Sequence, residues 1–218
     1  MAGIEEVEAI LSDKTRVSKS IEEETKKFDS LQEMLSRETN IFSQLTKQIG
    51  LCAEGQTLIH CDAINNKDVI IAMVKCILKE NRTPAIILTS MNYKTAQEFL
   101  SGAKIDLTKV FLIDPITNNI KREKNNSQVH FIDSLRNLTQ LQIKMINIIE
   151  EKKPIFIFDS LGVLELYHKE KILLKFIYSL TRLLHKYKTA GYYLLNKDVL
   201  VPRLGQFFDD IIKVEKVE

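Results

Sequence analysis

Glycine is scarce in this chain, with seven in 218 residues and none in the run HCDAINNKDV, His60 to Val69, that follows the first strand-like stretch. A phosphate-binding loop depends on glycine, because glycine lets successive backbone N–H groups close around an anion. Cysteine is equally sparse. Cys52, Cys61 and Cys76 form no close CxxC pair and leave an odd one over, which fits reduced thiols, argues against a disulfide framework and, with no clustered histidine, argues against zinc. An excess of one charge is missing too: 31 basic and 29 acidic residues leave +2, so no global field supports nucleic acid or an anionic membrane as partner. No apolar run reaches the roughly 18 to 20 residues that span a bilayer. The opening MAGIEEVEAI lacks the basic-then-apolar order of a secretory signal, so a cytosolic protein is expected. G-x-S-x-G and HExxH are absent as well, which removes two common hydrolase signatures.

Residues 1–49 contain one glycine and no proline, with Glu, Lys and Ser set around a regular apolar repeat. Val7, Lys14, Ile21, Phe28, Leu35, Phe42 and Ile49 form one column, and Ile10, Val17, Glu24, Leu31, Glu38 and Leu45 the other. That 3-4 spacing predicts a coiled-coil seam, densest at Ile21, Phe28, Leu31, Leu35, Phe42 and Leu45. One straight helix of this length would reach about 65 to 70 Å, more than the rest of the chain can cover, so a homo-oligomer held by this segment is expected. A helical hairpin broken at SDKT, Ser12 to Thr15, is the alternative.

From Gly50 onward short β-rich runs alternate with helical stretches, which predicts an α/β domain over residues 50–218 with a mainly parallel sheet flanked by helices. The strands are TLIHCD (57–62), PAIILTS (84–90), KVFLID (109–114), VHFID, PIFIFDS (154–160), GYYLLN and FFDDIIKVEKV. Amphipathic helices separate most of them. The polar run ITNNIKREKNNSQ, 116–128, is the one long loop, and a solvated insertion is the simplest reading of it. Tyr178, Tyr187, Tyr192 and Tyr193 follow helical and strand spacing and belong to core or rim. The four histidines, His60, His130, His168 and His185, are read as structural or solvated.

Apolar runs ending in Asp62, Ser90, Asp114 and Asp159 line the carboxyl edge of such a sheet with polar groups, where open α/β sheets bind ligands. PIFIFDS looks like a Walker B strand delivering Asp159 to Mg²⁺, although an Asp there also suits a helix cap.

These segments, with VFLIDPIT, VHFIDSLRNLTQLQIKMINIIE, FIFDSLGVLELYHKEKILLKFIYSLTRLLHKYKTAGYYLLNKD and LGQFFDDIIKVE, resemble the RecA-superfamily domain of archaeal KaiC-like proteins. The resemblance covers roughly three quarters of the chain. It implies a RecA-like sheet and a G-x-x-x-x-G-K-[ST] loop holding ATP and Mg²⁺. Aligned on Lys67, the loop has Cys61 and Asn66 for the two glycines and Asp68 for the hydroxyl residue. Asp62 and Asp68 would each repel a phosphate oxygen by roughly 4 kcal/mol at 4 Å and an effective dielectric of ~20. ILTSMNYK supplies Thr89, Ser90 and Asn92 where such ATPases carry a water-activating Glu.

The expectation is therefore a non-catalytic, KaiC-like pseudo-ATPase, a scaffold or regulatory module with a protein partner and no cofactor. The alternatives are a divergent ATPase using Lys67 and Asp159 with Mg²⁺, and a single-stranded nucleic-acid-binding module using Lys121, Arg122 and Lys124.

Overall fold

Seven apolar runs become seven parallel strands of one sheet. In a computed structural model of the chain, residues 55–119 and 124–214 are described, together with Ser36, Asn40, Ile41 and Ser43. The proposed oligomerisation residues Ile21, Phe28, Leu31, Leu35, Phe42 and Leu45 lie outside the described residues, as do Lys121 and Arg122. The chain divides into two units, Met1–Asn40 and Ile41–Glu218, and the second holds the sheet.

The strands are β1 (Gln56–His60), β2 (Pro84–Ile87), β3 (Phe111–Asp114), β4 (Val129–Phe131), β5 (Ile155–Phe158), β6 (Gly191–Leu195) and β7 (Asp210–Lys213), in the spatial order β4-β3-β2-β5-β6-β1-β7. Parallel sheets are covered on both faces, so their strands are apolar throughout and not alternating. All four residues of β2 and of β5 are buried accordingly.

The helices are α1 (Asn66–Lys79), α2 (Tyr93–Gly102), α3 (Leu138–Lys152), the short α4 (Leu161–Leu164), α5 (Glu170–Lys186) and the short α6 (Val201–Leu204). One core cluster joins α1 and α2 to Ile59, Ile157 and Tyr192, and Ile41 belongs to it at 0 % exposure. The other joins α3, α4, α5 and α6 to Leu58, Phe156, Phe158 and Tyr193. Successive strand residues thus feed opposite faces, as the two-residue period of a strand requires.

Local signals explain where the helices begin and end. Asn92 accepts a hydrogen bond from Thr95 N at 3.0 Å to cap α2, and Asn137 accepts one from Gln140 N at 3.0 Å to cap α3. On α5, Leu173, Phe176, Ile177, Leu180, Thr181 and Leu184 are buried at a repeat of three and four, the period of one helix face. The helix stops use left-handed residues that are not glycine: Asn81 after α1, Lys104 after α2, Lys153 after α3 and Lys188 after α5, with φ of 55°, 59°, 44° and 51°. The residue after three of them closes the helix with a backbone bond to the residue five earlier, Arg82 N to Ile77 O at 3.1 Å, Ile105 N to Leu100 O at 3.0 Å and Thr189 N to Leu184 O at 2.9 Å. The scarcity of glycine is visible here as strain accepted at helix ends.

Strand order reverses between β2 and β5. From β2 the chain leaves through α2 on the first face toward β3, and from β5 it leaves through α4 and α5 on the second face toward β6. The diverging connections open a crevice at the carboxyl ends of these two neighbouring strands, the usual ligand position in such sheets.

Candidate functional site

Asp159 lies in that crevice, one residue beyond β5, and is 0 % exposed. The register that pairs Ile87 with Phe158 brings the residues after β2 alongside it. Thr89 Oγ1 is 2.6 Å from Asp159 Oδ1, and Ser90 donates twice: its N–H to the carboxylate at 3.0 and 3.1 Å, and its hydroxyl to Oδ2 at 3.0 Å. Burial raises the Asp159 carboxyl above its ordinary range, and the hydrogen bonds from Thr89 and Ser90 oppose this only in part. A group so placed is shielded from solvent and tends toward the neutral acid.

The expectation that Asp159 caps the following helix is overturned. Ser160 occupies the N-cap of α4 and makes no side-chain cap bond, while the Asp159 oxygens turn sideways to β2. The physical reason is the neighbouring Thr-Ser pair, whose hydroxyls and Ser90 N–H engage both carboxyl oxygens.

The residues after β1 do not form an open loop. Asn65 N donates to Asp62 O at 2.9 Å, and Asn66 N donates to Ala63 O, so the chain folds at once into a 3₁₀ turn, Ala63–Asn65, and then α1. Both N–H groups are spent inside the chain. Cys61 is 2 % exposed and sits 3.3 Å from Asn66 Oδ1, to which its thiol donates. Burial, with Asp62 adding to it, pushes the Cys61 thiol up to about 12, which leaves it protonated and inert.

Lys67 is exposed on the first turn of α1. No hydrogen bond or ion pair joins it to Asp159 among the described residues. The two residues expected to act together in an ATPase are therefore not joined: Lys67 is exposed and Asp159 is buried.

Side-chain ties lace the rest of this edge. His60 Nε2 lies 2.7 Å from Asp198 Oδ1, linking β1 to the segment after β6, and Lys197 donates to Glu165 Oε2 at 2.6 Å, linking that segment to the end of α4. Two buried polar atoms, Asn65 Nδ2 and Ser160 Oγ, have no partner. They follow β1 and β5, which are separated by β6, so roughly 9 to 10 Å of sheet lies between them and they do not converge on one small group.

Asp114 ends β3 at 0 % exposure and also works internally: it accepts from Tyr93 N at 2.8 Å, Ile116 N at 2.7 Å and Thr117 N at 2.9 Å. Of the expected edge groups, Asp62 is exposed. Ser90 is exposed too, with its hydroxyl turned inward to Asp159.

Mg²⁺ and ATP can be tested against this geometry. Asp159 has both oxygens engaged by Thr89 and Ser90 and is driven toward neutrality, Asp68 stands where the aligned motif has a Mg²⁺-binding hydroxyl, and the N–H groups of Asn65 and Asn66 face carbonyls. These residues do not fit a Mg²⁺-nucleotide complex. Among the described residues no group of three or more His, Cys, Asp and Glu side chains is placed to hold a metal ion, and no helix is long and apolar enough to cross a membrane.

Sequence reasoning places Ser90 at the carboxyl edge and finds no base in Thr89 and Ser90, but misses both as partners of Asp159. It also missed the network at the opposite edge: Gln56, 0 % exposed, accepts from Tyr193 Oη at 2.8 Å and donates its amide to Thr189 O at 2.8 Å, while its N–H donates to Asp209 at 2.7 Å.

No family model matches this sequence, and no curated protein matches it. Solved structures do match in shape. One is a KaiC-like protein of the hyperthermophilic archaeon Pyrococcus horikoshii, 8 % identical, with a TM-score of 0.54 over 74 % of this chain and 72 % of that one. Another is an uncharacterized protein of Pyrococcus horikoshii in complex with an unknown peptide, 11 % identical, with a TM-score of 0.56 over 80 % of this chain and 83 % of that one. At such identity the likeness speaks for architecture alone. Strand order, crossovers and these matches agree on one conclusion: the chain has an α/β fold of the RecA-like, KaiC-like type.

Proposed function

We propose that this protein is a non-catalytic, KaiC-like pseudo-ATPase domain that serves as a scaffold or regulatory protein-interaction module. The observation that carries this reading is the sequestration of Asp159 by Thr89 and Ser90, at the position where an ATPase would need an exposed, ionised carboxylate. The spent N–H groups of Asn65 and Asn66 support it from the other side of the crevice.

The interaction half of the reading rests on what this edge exposes. Ile64 is 74 % exposed, Leu166 76 % and Val199 72 %. They follow β1, α4 and β6, the segments drawn together by the His60–Asp198 and Lys197–Glu165 ties. Large apolar side chains exposed at this edge suit protein contact better than polyphosphate. Self-association through the N-terminal seam belongs to the same proposal.

The test is nucleotide binding by the full-length protein. ATP with Mg²⁺ should neither be hydrolysed above background nor raise the melting temperature, and a saturable rise would contradict the reading.

A further inference from the structure

We propose that Asn125 and Asn126 form a clasp that closes the outer edge of β4 and so keeps two copies of this chain from pairing edge to edge. Among the described residues β4 is the last strand on its side of the sheet, next to β3. A strand turns its backbone groups to one side and the other in alternation. Gln128 O accepts from Leu112 N at 2.7 Å and Ile132 N donates to Asp114 O at 3.0 Å, so the even-numbered residues of this strand face β3. Val129 and Phe131 therefore turn their N–H groups outward, where an edge strand is a template for pairing with another chain.

Both of those N–H groups are taken. Val129 N donates to Asn126 Oδ1 at 2.7 Å, and Phe131 N donates to Asn125 Oδ1 at 2.7 Å. Asn126 N in turn donates to Val129 O at 3.0 Å. Asn126 thus gives Val129 one bond in each direction, which is what a residue opposite it on an antiparallel strand would give. The polar run 116–128, expected as a solvated insertion, ends in two residues that act as a substitute strand.

The clasp lies at the surface: Lys124, Asn125, Asn126 and Ser127 are exposed. The strand beneath it is anchored, with Val129 and Phe131 at 1 % and 7 % exposure in the core. Removing the clasp therefore changes the edge and leaves the strand in place. Lys124 adds, beside the clasp, the positive charge by which edge strands are commonly kept from pairing. A second copy fits the uncovered edge because that edge is complementary to itself. Two β4 strands related by a twofold axis at His130 set Val129 of each opposite Phe131 of the other, and each such pair can exchange two N–H···O bonds.

This edge stands apart from the crevice at Asp159, so the inference neither needs nor contradicts the pseudo-ATPase reading. The experiment is amide hydrogen exchange with light scattering on the full-length parent, Asn125→Ala, the Asn125→Ala, Asn126→Ala double variant, and the Asn125→Asp, Asn126→Asp double variant, which keeps an acceptor oxygen at both positions. A concentration series in about 1 M salt, where the Debye length is about 3 Å, screens the added carboxylates. At low concentration the Val129 and Phe131 amides should exchange at least tenfold faster in the double alanine variant than in the parent, while Ile132, bonded to β3, keeps its rate. Asn125→Ala alone should speed Phe131 and spare Val129, and the double aspartate variant should match the parent. As concentration rises, the double alanine variant should gain mass over the parent and its Val129 and Phe131 amides should regain protection. Unchanged exchange in both alanine variants, or equal acceleration of Ile132, would overturn the proposal. So would a double alanine variant whose mass tracks the parent, or one that gains mass without renewed protection of Val129 and Phe131, which would place the association elsewhere. If the double alanine variant does not fold, Asn125→Ala decides through Phe131: faster exchange with mass gained and protection renewed on concentration supports the clasp, and any other result overturns it.

Discussion

Thr89 Oγ1 lies 2.6 Å from Asp159 Oδ1 and 2.7 Å from the carbonyl oxygen of Ser160, two acceptor atoms around one hydroxyl proton. An ionised Asp159 would leave one of these close oxygen pairs without a hydrogen between them. A proton on Asp159 Oδ1 would resolve the count: the carboxyl O–H would then fill the pair with Thr89, Thr89 would donate to Ser160, and Ser90 would still donate its N–H and hydroxyl to Oδ2. Burial drives the carboxyl in the same direction.

A pH dependence follows with a definite sign. The folded-state affinity of Asp159 for its proton is raised above the unfolded value, about 3.9 for a free Asp. Its contribution to stability is then fully present below that value and is lost as pH rises through the raised one. Asp159→Asn keeps the neutral geometry, with the amide donating to Thr89. The melting temperature of Asp159→Asn minus that of the parent should therefore increase with pH from 4 to 8, while Asp159→Ala should cost roughly 1 to 3 kcal/mol by leaving the Ser90 N–H without its partner. An Asn variant that loses ground as pH rises would mean an ionised carboxylate.

The glycine-poor helix ends make a separate prediction. Lys153 and Lys188 hold φ of 44° and 51°, a conformation that costs an L-residue about 1 to 2 kcal/mol and glycine almost nothing. After the entropy glycine loses on folding, Lys153→Gly and Lys188→Gly should each stabilise by about 0.5 to 1 kcal/mol in urea unfolding. Valine at either position should destabilise.

Gly191 shows the opposite constraint. A Cβ there would meet Gln56 Oε1 at 2.5 Å and Tyr193 Oη at 2.8 Å, so Gly191→Ala should cost about 1 to 3 kcal/mol by overpacking. Because the clash falls on the Gln56–Tyr193 bond, Gly191→Ala combined with Tyr193→Phe should be less than additive in a double-mutant cycle.

Self-association is tested by Phe28→Glu with Leu35→Glu. If the predicted seam assembles the protein, light scattering should show the parent as an oligomer at tens of micromolar and the double variant as a monomer with its circular dichroism melt intact. A monomeric parent would remove the seam as the assembly element. Deleting residues 1–49 is a poorer test, because it also takes Ile41 from the core, a loss of the kind that costs about 2 to 5 kcal/mol.

The fold was legible because each layer repeats one signal. PAII and IFIF are apolar without interruption, as doubly covered strands must be, and YKTAQEFLSG marks α2 from Tyr93 to its closing Gly102. The site was legible only as a position. Asp159 stood out as the end of a strand, but Thr89 and Ser90 are about seventy residues away in sequence, and only the β2–β5 register makes them its partners. The His60–Asp198 tie escaped for the same reason, since its two residues are far apart in sequence with no local spacing to betray them.

The most direct measurement of the central claim is the melting temperature of the full-length protein, Lys67→Ala and Asp159→Asn with and without millimolar ATP and Mg²⁺. A ligand at 100 times its dissociation constant stabilises by about 2.7 kcal/mol, enough to be seen if affinity is micromolar. With Asp159 sequestered and the N–H groups of Asn65 and Asn66 spent, no shift is expected in any of the three proteins. An upward shift in the parent that disappears in Lys67→Ala and Asp159→Asn would contradict the account and establish a working nucleotide site.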